Sequence, residues 1–286
     1  MDELQQKLGW SGVGLILFLI SGFIILCIWF FRTSFGRKAL LNSLPRRNNM
    51  HPAVPFVVML AYFALMLIAG SSIKHLFKFS EETWQFVFAA NFTMSVSAII
   101  IIVVVIFLAR RSFARRLKGF GLNPRTILRD LPVAFLNFWA TLPVVIFMII
   151  ATAYAGKFLI GPDFKIEQHQ ELGYIAKFDA NLAVVIAVFF TVVVIAPVLE
   201  EFLFRGLLQT AIRSFGYGPW FGIAVSSALF AIVHADLSHW PAIFFLSAGI
   251  GYSFEKSGSL FRPIFFHSLF NAFSVIGTLL LSNASA

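Results

Sequence analysis

The chain has 286 residues, of which 59% are hydrophobic and 12% charged, with a formal net charge of +9. Soluble domains carry roughly twice that charged fraction, so a soluble globular class is excluded, and long apolar runs parted by short basic connections point to a multi-span helical membrane protein. No nucleic-acid partner is expected: the positive charge collects in "FRTSFGRKALLNSLPRRNN" and "ARRSFARRLKGFGLNPRTILRD", which flank apolar runs and read as cytoplasmic anchors on anionic lipid.

At about 17 to 25 residues per span, an all-α fold of about eight transmembrane helices is predicted. The spans fall near 10–31, 53–73, 86–109, 131–155, 181–199 (with a helical extension), 219–235, 240–255 and 261–282. The start "MDELQQKLGW" lacks the basic region of a cleaved signal peptide, so the first run is expected to stay as a span. Connection 32–52 carries Arg32, Arg37, Lys38, Arg46 and Arg47 without an acid. Connection 74–85 balances Lys74 and Lys78 against Glu81 and Glu82, connection 110–130 is strongly basic, and 156–180 is slightly acidic. This alternation sets the N-terminus outside a multi-pass protein of the cell membrane. The sixth and seventh runs are short, and are expected to be tilted, buried among neighbours or incomplete crossings. Gly249 and Gly251 in the seventh run are expected to permit close helix packing. His51, His75 and His169 fall in connections and read as solvated; Asp236 and His239 read as surface or hinge residues.

Two Glu-Glu pairs separate ordinary acids from costly ones. Glu81 and Glu82 follow Ser80, a good N-cap, at the polar start of the third span, where acids are common. Glu200 and Glu201 instead interrupt "NLAVVIAVFFTVVVIAPVLEEFLFRGLLQ", where an acid at mid-span costs about 2.5 to 3.5 kcal/mol on an insertion scale. Glu201 and Arg205 are four apart in the favourable order for an intrahelical pair. Pro197 removes a backbone donor just upstream and leaves a place for polar groups. If the helix runs on to Arg213, Glu200 lies about 20 Å from its end, and the next run returns to carry His234 to a similar depth, about 22 Å along. His267 and Asn271, four apart in "RPIFFHSLFNAF", share one helix face.

Three polar features thus occur in one half: Glu-Glu-x-x-x-Arg, Phe230-x-x-x-His234 and His267-x-x-x-Asn271. In "EEFLFR", "FAIVH" and "HSLFN", over about residues 181–276, the chain resembles the CPBP intramembrane proteases, which include type II CAAX prenyl endopeptidases and lysostaphin-resistance proteins. The first four spans, residues 1–180, match no family pattern; residues 181–286 form the protease-like core. The resemblance implies an endopeptidase acting on a membrane-associated protein or peptide, with or without a prenyl group. In it Glu200 is the base, His234 orients the water, His267 and Asn271 donate to the carbonyl oxygen, and Glu201 with Arg205 is a supporting pair. Phe230 completes the second motif. A metal-free mechanism is preferred over the alternative in which Glu200, His234 and His267 hold Zn²⁺, because the His-Glu-x-x-His signature is lacking. A noncatalytic scaffold or immunity factor, and an ion-coupled transporter, are the competing functions.

Overall fold

Long apolar runs in lipid satisfy their backbone groups only as helices, and the computed structural model consists of helices and turns throughout residues 2–77, 79–80, 83–166, 170–179, 181–234 and 237–285, which are those described. The helices are α1 (Asp2–Arg32), α2 (Val54–Phe77), α3 (Trp84–Ser112), the short α4 (Arg116–Phe120), α5 (Ile127–Leu159) and α6 (Gln170–Lys177). A continuous rod follows over Leu182–Ser214, and then α10 (Pro219–Ile232), α11 (Trp240–Ser257) and α12 (Phe261–Ser285). The rod changes winding along its length: α7 (Leu182–Phe190), a π segment (Thr191–Ile195), α8 (Ala196–Glu201), a second π segment (Phe202–Gln209) and α9 (Thr210–Ser214).

Among the described residues, six helices are long and apolar enough to cross a membrane. The sixth predicted run forms the short apolar α10, and the seventh the 18-residue α11. The all-α, multi-pass reading therefore holds, with two of the eight expected spans shorter or more polar than a full crossing needs. The helix carrying Glu200 does run past Arg213, while α10 stops two residues before His234. One local expectation fails: α3 is capped by Thr83, not Ser80. Thr83 is extended and its hydroxyl accepts from the Phe86 N–H at 3.4 Å, next to the first helical residue. Glu81, Glu82, His169 and Asp236 lie outside the described residues.

Helix α5 packs against α1, α11 and α12, while the rod is held by α2, α3, α10 and α12. Small residues set the spacing. A Cβ on Gly206 would lie 2.3 Å from the Phe120 ring, so only glycine lets that ring lie on the second π segment. On α11, a Cβ at Gly249 would meet the Thr141 hydroxyl at 2.8 Å and one at Gly251 the Gln209 side chain at 3.0 Å, as expected of close packing. The 33–53 connection lies across the ends of α9 and α11: the Ser43 hydroxyl donates to Glu255 at 2.6 Å, and Lys256 donates to the Ala39 carbonyl at 2.7 Å. Arg46 lies over the Phe254 ring, and burial pushes its guanidinium down to about 10 against the opposing pull of Glu255.

Candidate active site

Winding and sequence meet at Pro197. In the first π segment hydrogen bonds run from residue i+5 to residue i, and the Ala196 N–H donates to the Thr191 carbonyl in that register. The next donor would be residue 197, a proline without an N–H. The Val192 carbonyl that it would have bonded accepts instead from the Asn271 side-chain amide of α12, at 2.8 Å. Asn271 is thus fixed by a carbonyl that Pro197 orphans, and its amide keeps a second N–H. The place for polar groups expected upstream of Glu200 is taken by a side chain from another helix.

One turn on, Glu201 is fully buried, and its Oε1 accepts from Arg205 Nη1 at 2.9 Å and from His267 Nδ1 at 2.8 Å. Arg205, equally buried, is anchored by donating through Nη2 to the Ser247 carbonyl and hydroxyl at 2.9 and 2.8 Å. A single carboxylate oxygen therefore joins the rod, α11 and α12. Since Nδ1 donates to Glu201, the free edge of the His267 ring is Nε2, which lies 3.7 Å from Glu200 Oε2. That is too long for a direct hydrogen bond, so the two atoms face a common space. Glu200 is the accessible member of the group, with its side chain 27% exposed.

The Phe230 ring closes the group. It lies 5.9 Å from the His267 ring, 4.6 Å from the His234 ring and 5.0 Å from the Arg205 guanidinium, and is itself held by Phe204 at 4.9 Å. His234, just beyond the end of α10, donates through Nδ1 to the Phe230 carbonyl at 2.7 Å. The indole of Trp240 donates to the His234 carbonyl at 2.9 Å. The turn after α10 is thereby fixed at both ends, with the His234 ring one aromatic ring away from His267.

Of the seven residues singled out in the sequence, Glu200, Glu201, Arg205, Phe230, His234 and His267 are linked by direct approaches, while Asn271, one turn along α12 from His267, is joined to the Val192 carbonyl instead. Two features were not read in the sequence. The first is the Glu201–His267 hydrogen bond, which orients the imidazole in the manner of a carboxylate supporting a histidine. The second is Ser247, whose only signal is a polar residue in the apolar stretch "IFFLSAGIG". Zinc needs three protein ligands within about 2.0 to 2.2 Å of one point. Among the described residues no group of three His, Cys, Asp or Glu side chains is already drawn together around one point; of the alternative set of Glu200, His234 and His267, Glu200 Oε2 and His267 Nε2 approach to 3.7 Å. The arrangement offers a partly accessible carboxylate, the Nε2 edge of His267, a spare amide N–H on Asn271 and a buried ion pair beneath them, which is a set suited to moving a proton beside a polarised oxygen.

Residues 182–273 match the family described as type II CAAX prenyl endopeptidase Rce1-like, which bears out the resemblance over the part of the chain that carries all three motifs. The chain is also 31% identical over 83 residues to "Putative membrane peptidase YdiL" of Bacillus subtilis (strain 168), covering 29% of this chain and 34% of that protein. It is 28% identical over 122 residues to an "Uncharacterized 24.3 kDa protein" of Escherichia coli, covering 41% of this chain and 56% of the relative. The chain thus spans about a third and about half of the length of these two relatives. No solved structure matches.

Proposed function

We propose, from the match of residues 182–273 to Rce1-like endopeptidases, that this chain is an intramembrane endopeptidase acting on a membrane-associated protein or peptide. The observation that carries the reading is the 3.7 Å approach of Glu200 Oε2 to His267 Nε2, with the other face of the imidazole held by Glu201. A base and a nitrogen able to donate then border one small space, backed by an apolar ring that limits water. Glu200 takes a proton from a water as its oxygen adds to the substrate carbonyl carbon, and His234 orients that water. His267, when its ring is protonated, and the second N–H of Asn271 donate to the developing oxyanion. The proton held by Glu200 passes to the departing amine as the C–N bond breaks. Glu201 and Arg205 are positioning residues, and no step is routed through a metal. Residues 1–180 form the membrane support of the 181–286 core; the substrate class includes prenylated and unprenylated peptides.

The test compares wild type with Glu200→Gln, His234→Ala and His267→Ala, reconstituted as the full chain, on quenched fluorescent peptides tethered to the bilayer by a farnesyl group or by an apolar segment. Glu200→Gln is expected to lose about 10²- to 10⁴-fold in cleavage rate, the usual worth of a general base, with its thermal unfolding unchanged. Equal cleavage by all four proteins sinks the protease reading and leaves the noncatalytic scaffold.

A further inference from the structure

The two basic connections that sequence separates are joined in space. Asn48 and Phe113 form an isolated antiparallel bridge, with Asn49 N–H donating to the Ser112 carbonyl at 2.9 Å and Ala114 N–H to the Arg47 carbonyl at 3.1 Å. The bridge brings Arg47 beside Arg110, Arg111 and Arg116, and these four arginines line an open cleft of about 510 Å³ that has no acidic residue in its wall. None of the four makes an ion pair within 4 Å among the described residues. The negative end of the α3 dipole accounts for Arg110 and Arg111 in its last turn. It does not account for Arg47, which arrives from another connection, or for Arg116, held in the left-handed region at φ 50.

The Arg111 guanidinium is 4.2 Å from the Phe107 ring. Ile100, Val103 and Phe107, spaced to share one face of α3, are 49%, 58% and 52% exposed. An apolar stripe on a membrane-spanning helix therefore leads directly to a cluster of guanidinium groups that have no carboxylate partner among the described residues.

We propose that this cleft is a binding site for the phosphate of an anionic phospholipid, with one acyl chain lying along the Ile100–Val103–Phe107 stripe. Guanidinium forks match phosphate oxygens bidentately, and a phosphate relieves the mutual repulsion of four arginines that no carboxylate of the described residues offsets. A phosphomonoester, as in phosphatidate, carries the most charge into the cleft and is the preferred headgroup. The position at a helix end selects a lipid over a soluble phosphate, because the apolar stripe gives the acyl chain its own surface. The site is independent of the proteolytic reading.

The experiment measures association of the full chain with fluorescent short-chain phosphatidate in phosphatidylcholine nanodiscs. The double variant Arg47→Gln, Arg111→Gln is expected to bind about 25-fold more weakly, at roughly a factor of five per arginine near a membrane surface. The control Arg37→Gln, Lys38→Gln removes the same charge from exposed positions outside the cleft and is expected to leave binding unchanged. Equal losses in the two variants mean diffuse attraction by a basic face and overturn the site. Displacement by glycerol 3-phosphate as effective as by unlabelled phosphatidate means a soluble anion and overturns the lipid assignment. Unfolding of all three proteins in phosphatidylcholine alone is expected to coincide, so that a folding defect is not read as lost binding.

Discussion

Among the described residues, two carboxylates are buried to zero exposure, Asp130 and Glu201, and each binds an arginine through one oxygen. Asp130 Oδ1 accepts from Arg262 Nε at 3.2 Å and Nη2 at 2.9 Å, joining α5 to α12. Glu201 Oε1 accepts from Arg205 within the rod. In both, the second carboxylate oxygen is buried without a hydrogen bond among the described residues. The difference lies in what else the bonded oxygen does. Asp130 has Arg262 and, 3.9 Å away, the mostly exposed Arg129. Glu201 shares its oxygen with His267, whose other nitrogen faces the partly exposed Glu200. A buried ion pair is by itself only a helix clamp. It becomes the floor of a site when one more donor carries its orientation out to an accessible group.

Removing the cation from each pair tests how far the likeness goes. Arg205→Met and Arg262→Met each strand a buried carboxylate, and each is expected to cost about 3 to 5 kcal/mol of stability, read as a fall in unfolding midpoint in detergent. Adding Asp130→Asn to Arg262→Met should recover much of the loss, since a neutral pair needs no counter-charge. The two differ in activity per folded molecule: Arg262→Met keeps it, whereas Arg205→Met loses it with the imidazole's support. If Arg262→Met also abolishes cleavage in the folded fraction, the distinction between clamp and site is wrong.

A finer cut separates the two functions of Glu201. Glu201→Gln keeps the volume and one oxygen for His267, but removes the charge that holds Arg205. By analogy with residues that support a ligating or catalytic histidine, activity is expected to fall about 10- to 100-fold, less than in Glu200→Gln. The loss should appear in kcat per folded molecule with KM unchanged; a purely structural role would lower the folded fraction and leave kcat per folded molecule in place.

The spans were legible because hydropathy alone decides helix in lipid: the second and third runs, read as 53–73 and 86–109, form Val54–Phe77 and Trp84–Ser112. The Glu201–Arg205 pair was legible from its four-residue spacing, even though the winding widens at Phe202. The π segments were not, since no side-chain pattern marks an i+5 register; Pro197 shows where a donor is missing, but not which carbonyl loses it. That Asn271 would fill this gap depends on how α12 lies against the rod, and helix-to-helix placement is not written in periodicity. The Glu201–His267 bond was hidden for the same reason, as the two residues are 66 apart. The capping error at Ser80 has a smaller cause: with Thr83 also able to cap, the extended backbone of Thr83 decides.

Glu171 is a third case, a largely buried carboxylate with a neutral partner. It lies in α6, outside the spans, where Asn91 Nδ2 donates to its Oε2 at 3.5 Å. Burial raises its proton affinity above the ordinary 4.5, and the Asn91 hydrogen bond opposes this only in part. A raised carboxylate value in the folded state means that stability is fully present below pH 4.5 and is lost as pH rises through the folded value, because the unfolded chain ionises more readily. Glu171→Gln keeps an oxygen for Asn91 and cannot ionise. It is therefore expected to unfold at the same temperature as wild type below that range and at a slightly higher one at neutral pH. For Glu201, whose partner is a cation, the Gln substitution should destabilise at neutral pH instead. If Glu171→Gln behaves like Glu201→Gln there, the carboxylate in α6 has a cationic partner in solution, and the contrast between charged and neutral support does not extend to it.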